Sequence, residues 1–244
     1  MRKELILVCD WDKSLSPVYM PSVYIKKHTK LTDSEYWKLV NDPSSPVKTP
    51  ELAYLWSLSR QVLEPDFFDT ELTRSKLEEL GQTIPLCPGA LDFLSQMWGR
   101  GIQIHIVTTG LTHFLAQHPA RRYITSVHGS SYADEGLQTV AEIITAADKV
   151  RCLHEISNGD LSRIVYIGDG GSDYWAMKAA IEGGGMAAGV WDTSLPRSIT
   201  QVVQLQKDLG LNFISEADYR EGSSLRTWLW NIFFSGRSKF EHLL

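Results

Sequence analysis

Asp10 and Asp12 stand on either side of Trp11 at the end of an apolar run, in LILVCDWDKS. Two carboxylates this close repel each other and raise each other's pKa unless a cation or a shared proton lies between them. Three more chemically capable sites follow along the chain. Thr108, Thr109 and Gly110 come directly after IQIHIV, Asp169 and Asp173 sit in GDGGSD after IVYI, and Lys149 is the only lysine between Thr108 and Asp169. Together they offer carboxylates, a hydroxyl, backbone amides and one ammonium, a set suited to phosphoryl chemistry. Asp10 and Asp169 are hard oxygen ligands for Mg²⁺, and a carboxylate beside that ion can attack phosphorus and become an aspartyl-phosphate. Asp12 could pass a proton to a leaving oxygen and recover one from water. Thr108, Gly110 and Lys149 would stabilise charge on the transferred group.

These residues converge only if the elements before them lie side by side. Leu5–Cys9 is continuously apolar and ends in charge, as expected of a parallel strand buried on both faces. Ile102–Val107, Ile164–Ile167 and Met186–Trp191 read the same way, with helical stretches at Gly89–Trp98 and Tyr174–Ile181. Strands alternating with helices predict an α/β fold, a Rossmann-like parallel sheet flanked by helices. In such sheets ligands bind beyond the carboxyl ends of the strands, which is where the candidate residues fall. The segment 17–85 differs, because it holds no run that reads as a buried strand. Thr32 or Asp33 would cap a helix through TDSEYWKLVND, Pro50 would start a second through PELAYLWSLSRQVL, and a third would cover Thr70–Leu80. The expected division is a core of residues 1–16 and 86–244, interrupted after the first strand by a helical cap of 17–85.

LILVCDWDKS, HIVTTG, the lone downstream Lys149 and IGDGGSD, in that order, resemble the four motifs of haloacid dehalogenase superfamily phosphatases. The helical insert sits where that superfamily carries its C1-type cap, and phosphoserine phosphatase and its relatives show the most similar arrangement. The resemblance covers about residues 5–15 and 85–192. It implies Asp10 as nucleophile and metal ligand, Asp12 as acid/base and backbone-carbonyl metal ligand, and Asp169 as metal ligand. Asp173 would be the last acid, serving the metal site or Lys149. Thr108, with Thr109 and Gly110, and Lys149 would bind the phosphoryl group, and Mg²⁺ would be the cofactor. Two positions depart from the pattern: Trp11 replaces a small residue or phenylalanine, and Lys13-Ser14 replaces Gly-Thr.

Each feature alone has an ordinary explanation. Acid pairs occur in surface loops, GDGGSD is turn-prone, Thr108 could cap a strand and Lys149 could be a solvated helix residue. Their order and placement at strand ends carry the argument. Asp12 favours phosphate-ester hydrolysis over dehalogenation, since a halide leaves unprotonated. Phosphoryl transfer, as in a phosphomutase, needs the same core. A non-catalytic phospho-ligand-binding member would be expected to lack Asp10, Asp12 or Asp169. A plain nucleotide-binding Rossmann module is rejected, because DWDKS stands where its glycine-rich turn belongs.

The chain has 244 residues, 43% hydrophobic and 22% charged, with a formal net charge of −5. That charge argues against a nucleic-acid partner, and no apolar run reaches the roughly 20 residues needed to span a bilayer. Cys9, Cys87 and Cys152 lack metal-ligand spacing in the sequence and cannot all pair with one another, which suits a reducing, cytoplasmic setting. The expected partner is a small phosphorylated metabolite. The C-terminal LRTWLWNIFF reads first as a helix docked on the core and second as a homodimer contact. His105 reads as a satisfied core histidine, Cys9 as inert, and His113 and His118 first as solvated, with a substrate contact by one of them second. Tyr19, Lys26, His28, Arg60 and Arg74 are the cap's candidate substrate contacts.

Overall fold

Ile6, Leu7, Val8 and Cys9 form β1 (Ile6–Cys9), and all four are sealed from solvent. Leu7 and Cys9 feed a hydrophobic cluster on one face of the sheet, while Ile6 and Val8 feed a second cluster on the other. Strand side chains alternate between faces, so a strand buried on both sides must be apolar throughout. In the computed structural model, which describes residues 4–28, 30–42, 72–192 and 196–235, this strand is the centre of a seven-stranded sheet.

The other strands are β2 (Gln103–Leu111), β3 (Ser126–Tyr132), β4 (Val140–Glu142), β5 (Ile164–Gly168), β6 (Met186–Trp191) and β7 (Phe213–Glu216). Their order is β4-β3-β2-β1-β5-β6-β7, and every neighbouring pair is parallel except antiparallel β3–β4. The α/β expectation therefore holds, with β1 as the point from which successive strands wind outward to both sides. Three strands leave no buried apolar run in the sequence: β3 is polar and partly exposed, β4 is three residues long and wholly exposed, and β7 is half polar and only partly buried.

Nine described α-helices flank the sheet or follow its strands. α1 (Met20–His28), α2 (Asp33–Val40) and α3 (Arg74–Gly81) follow β1 in the chain. α4 (Ala90–Gly99) leads into β2, α5 (His113–Ala116) follows it, and α6 (Asp148–Ser157) precedes β5. α7 (Tyr174–Glu182), α8 (Pro196–Leu209) and α9 (Ser224–Trp230) finish the chain, the last running into a π-helical turn at Asn231–Ser235.

Local chemistry explains the helix starts in the insert. Thr32 caps α2 reciprocally with Glu35: its hydroxyl accepts from the Glu35 N–H, and Glu35 Oε2 accepts from the Thr32 N–H at 2.8 Å. Thr73 caps α3 by accepting from the Lys76 N–H at 3.2 Å. The helix expected from Pro50 lies outside the described residues. Met20, Tyr24, Tyr36, Leu77 and Leu80 join the same buried cluster as the β1 residues Leu7 and Cys9.

The C-terminal aromatic segment docks on the core. Trp228 stacks on Phe213 with ring centroids 5.0 Å apart, Leu225 and Leu229 are buried, and Arg226 donates to Asp92 at 2.8 Å. No helix among the described residues is long and apolar enough to cross a membrane.

Candidate active site

Asp10 continues β1 by one residue, its N–H donating to the Ile167 carbonyl at 2.8 Å. The chain then turns sharply, with the N–H groups of Ser14, Leu15 and Ser16 all donating to the carbonyl of Trp11. Lys13 takes φ 65 within this turn. That left-handed conformation costs a residue with a Cβ about 1–2 kcal/mol and glycine almost nothing. Lys13 is anchored there: its Nζ donates to the Pro17 carbonyl and sits 5.1 Å from the Tyr19 ring centre. The bulk of Trp11 turns away from the cleft, fully buried with its ring edge-on to His118 at 4.9 Å.

The turn delivers Asp12 to a fixed place. Its Oδ1 accepts from the backbone N–H of Met20 at 2.9 Å, which ties the second acid to the first turn of α1. From the far side, α6 brings in Lys149, whose side chain is wholly buried. Its ammonium donates to Asp10 Oδ1 at 2.8 Å and to Asp173 Oδ1 at 2.7 Å.

Asp173 is committed on both oxygens. Oδ1 also accepts from the Tyr166 hydroxyl at 2.7 Å, while Oδ2 accepts from the N–H groups of Asp169 and Gly170. A Cβ on Gly168 would fall 2.4 Å from the Asp173 carboxyl carbon, so only glycine leaves room for this arrangement. Asp10, Asp169 and Asp173 each bring a carboxylate oxygen within 4.8 Å of the others.

Burial makes these acids reluctant to ionise. Asp10 is pushed up to about 7, first by desolvation and then by Asp173, with Lys149 pulling the other way. Asp12 is raised well above the usual carboxylate range by burial and then by Asp10. Asp169 is raised by burial and by Asp173 and Asp10. Burial pulls the Lys149 ammonium down, but Asp10 and Asp173 outweigh it and hold the group above its ordinary value. Several carboxylates sharing one ammonium form an electrostatically incomplete site, and a divalent cation would complete it.

A cleft of about 320 Å³ opens above these groups, lined by Asp10, Asp12, Thr108, Thr109, Gly110 and Asp169, together with Tyr19, Pro21, Trp37 and Gln201. Thr108 is almost wholly buried, and its Oγ1 accepts from the Gly110 N–H at 3.0 Å, so that amide is engaged by the hydroxyl. The structure thus brings together Asp10, Asp12, Thr108, Thr109, Gly110, Lys149, Asp169 and Asp173.

Of the cap candidates, Tyr19 lines the cleft. Lys26 is exposed, and Arg74 pairs with Glu78 and Glu135 on the surface. Arg60 and the His28 side chain lie outside the described residues. Sequence reasoning missed Tyr166, hidden inside an apolar strand, and Gln201, on a helix that carries no motif.

Two histidine expectations need correction. His113 accepts from the Tyr132 N–H at 3.0 Å, and His118 is buried, capping the turn at Ala120 and contacting the Ile84 carbonyl at 3.1 Å. Both are structural, because each lies where a strand or turn leaves a backbone group to be satisfied. His105 is only half satisfied: Nδ1 meets Ser126 Oγ at 2.7 Å and Nε2 has no partner.

Comparison with known proteins gives two kinds of match. Residues 7–178 match the profile of the haloacid dehalogenase-like hydrolases. No curated protein sequence matches the chain. Among solved structures, a substrate-bound phosphoserine phosphatase complex aligns over 94% of this chain and 98% of its own, with TM-score 0.62 and 15% identity. A phospho-aspartyl intermediate analogue of phosphoserine phosphatase covers 93% and 98%, with TM-score 0.61 and 15% identity. Cytosolic 5′-nucleotidase IIIB bound to cytidine covers 93% and 85%, with TM-score 0.58 and 12% identity. At these identities the structural likeness speaks for the fold.

Proposed function

Because the chain belongs to the haloacid dehalogenase-like hydrolase family, we propose that it is a Mg²⁺-dependent phosphatase that hydrolyses a small phosphorylated metabolite through an aspartyl-phosphate on Asp10. The observation that carries this reading is the buried Lys149 ammonium, clamped between Asp10 and Asp173 at the carboxyl ends of the central strands. A buried ion pair is a poor stabiliser, since its desolvation cost rivals its attraction. Its presence beside two further carboxylates fits a site built for charge.

The donor set suits a hard cation. Asp173 has both oxygens occupied, so Asp10 and Asp169 are the carboxylates that would hold Mg²⁺, with the Asp12 backbone carbonyl beside them. When bound, the ion would neutralise the crowded carboxylates and polarise a phosphoryl oxygen.

The chain's own residues supply the remaining steps. Lys149 holds Asp10 Oδ1, which leaves Oδ2 to attack phosphorus. A P–O bond to Asp10 forms while the ester P–O bond breaks, and the protonated Asp12 carboxyl gives its proton to the leaving oxygen. Burial of Asp12 favours that protonated form. In the second half, water attacks phosphorus, Asp12 takes the water proton, and the P–O bond to Asp10 breaks to release phosphate. The Thr108 hydroxyl and Lys149 stabilise the phosphoryl oxygens, and Asp173 acts by orienting Lys149. Segment 17–85 would serve as the cap, its residues Tyr19, Pro21 and Trp37 meeting the substrate's organic part and shielding the site from water.

The test is phosphate release from a panel of phosphorylated metabolites, with and without Mg²⁺, by the wild type and Asp10→Asn. Release by the wild type alone, and only with Mg²⁺, is the expected result. Activity retained in Asp10→Asn would end the covalent mechanism. Transfer to an acceptor without release would replace hydrolysis by a phosphomutase-type reaction.

A further inference from the structure

Away from the cleft, α6 holds a second group of side chains in the turns beyond Lys149. Cys152 and Glu155 are three residues apart, so they share one side of the helix. They meet His128 of β3, and His128, Cys152 and Glu155 each offer one ligand atom within 4.8 Å of the other two.

Three observations point to a ligand. The His128 ring is oriented by a Ser126 Oγ contact to Nε2 at 2.7 Å, and that hydroxyl also meets His105 Nδ1 at 2.7 Å. Metal-binding histidines are characteristically held in this way through their second nitrogen. Glu155 gives only Oε1 to Arg151, at 2.8 Å. Cys152 is 1% exposed, while half of the Glu155 side chain is in solvent, so the group runs from a sheltered thiol to an accessible carboxylate.

We propose that His128, Cys152 and Glu155 bind a borderline-soft divalent cation of the zinc type, separate from the oxygen-lined cleft. Sulfur, nitrogen and oxygen donors together select such an ion over Mg²⁺. A tetrahedral zinc site places its ligand atoms roughly 3.4–3.7 Å apart, given bonds of about 2.0–2.3 Å. With the atoms already within 4.8 Å of one another, the three groups need to draw together by at most roughly 1.4 Å, within reach of side-chain rotation, and water would take the fourth position. Binding replaces the thiol S–H bond with an S–metal bond, and the proton goes to solvent. The ion would pin α6, and with it Lys149, to β3 of the sheet. Arg151 opposes binding by its charge, and Glu142, which pairs with it at 3.4 Å, offsets that.

Co²⁺ as a spectroscopic stand-in for zinc tests this on the chelator-treated protein in saturating Mg²⁺. A near-ultraviolet thiolate-to-cobalt charge-transfer band should grow to one equivalent, and the all-oxygen cleft cannot produce it. Cys152→Ser should abolish the band, and Cys87→Ser should keep it. Glu155→Gln, at an exposed position that leaves folding intact, should weaken Co²⁺ affinity about tenfold or more. It should also remove the zinc-induced rise in Tm seen in the wild type. No band in the wild type, a band that survives Cys152→Ser, or unchanged affinity in Glu155→Gln would overturn the site.

Discussion

In the proposed mechanism the Asp10 carboxylate, 4% exposed, attacks phosphorus in its ionised form, which Lys149 favours from 2.8 Å against the burial that opposes it. Removing the cation strands two buried acids. Lys149→Ala should lower stability by about 3–5 kcal/mol and turnover by about 10²–10³-fold, read by urea unfolding and by phosphate release. Full activity would mean that another cation fills the role. The pH dependence follows from Asp10 as well. Its pKa is raised to about 7 in the fold from an ordinary 3.8, so the folded chain keeps a proton that the unfolded chain loses between those values. The stability that Asp10 contributes must then fall as pH rises from about 4 to 7, because with respect to this group the folded state binds more protons across that window. Asp10→Asn should show a shallower fall in metal-free urea midpoints at pH 5 and pH 7.5. Parallel curves would remove Asp10 from the linkage.

At the scale of an element, the short loop after β5 does two jobs at once. It ends a buried strand and folds back so that two backbone N–H groups hold Asp173, which in turn holds Lys149. Gly168 is the position that permits this, since its missing Cβ leaves room for the Asp173 carboxyl. Gly168→Ala should cost about 1–3 kcal/mol by overpacking and lower kcat, because the displaced carboxylate no longer orients the lysine. Gly171→Ala is the internal control: its Cβ would meet nothing within 4 Å, so stability should stay within about 0.5 kcal/mol. Equal effects from both would point to loop flexibility as the cause. Both acidic motifs and the threonine were legible in the sequence because each follows an apolar run. Tyr166 was not, because a tyrosine in such a run reads as core until its hydroxyl is seen on Asp173.

Across the whole molecule, the cleft depends on how the insert is held against the sheet. α3 packs on α5 so closely that a Cβ on Gly81 would lie 1.9 Å from the Phe114 carbonyl oxygen. Gln82 and Gln117 join their side chains at 2.7 Å just beyond. Gly81→Ala should push α3 away, costing about 2 kcal/mol or more. It should raise KM more than it lowers kcat, since Tyr19, Pro21 and Trp37 come from the same insert while the acids come from the sheet. Steady-state kinetics beside thermal melts would show this, and an unchanged KM would separate α3 from substrate binding.

The central strands, the α/β class and the ordered acids, hydroxyl and lysine could all be read along the chain, because strand burial and strand-end chemistry are local and leave local patterns. Even the strain at Lys13 was foreshadowed by the departure from glycine. How Asp173 spends its oxygens, that Gln201 reaches the cleft, and that His113 and His118 are structural came from the packing of distant elements. It alone placed Cys152 of α6 beside His128 of β3. Cysteine spacing along the chain could not reveal that grouping, because a contact between a helix and a strand is set by how they dock and by no repeat in the sequence.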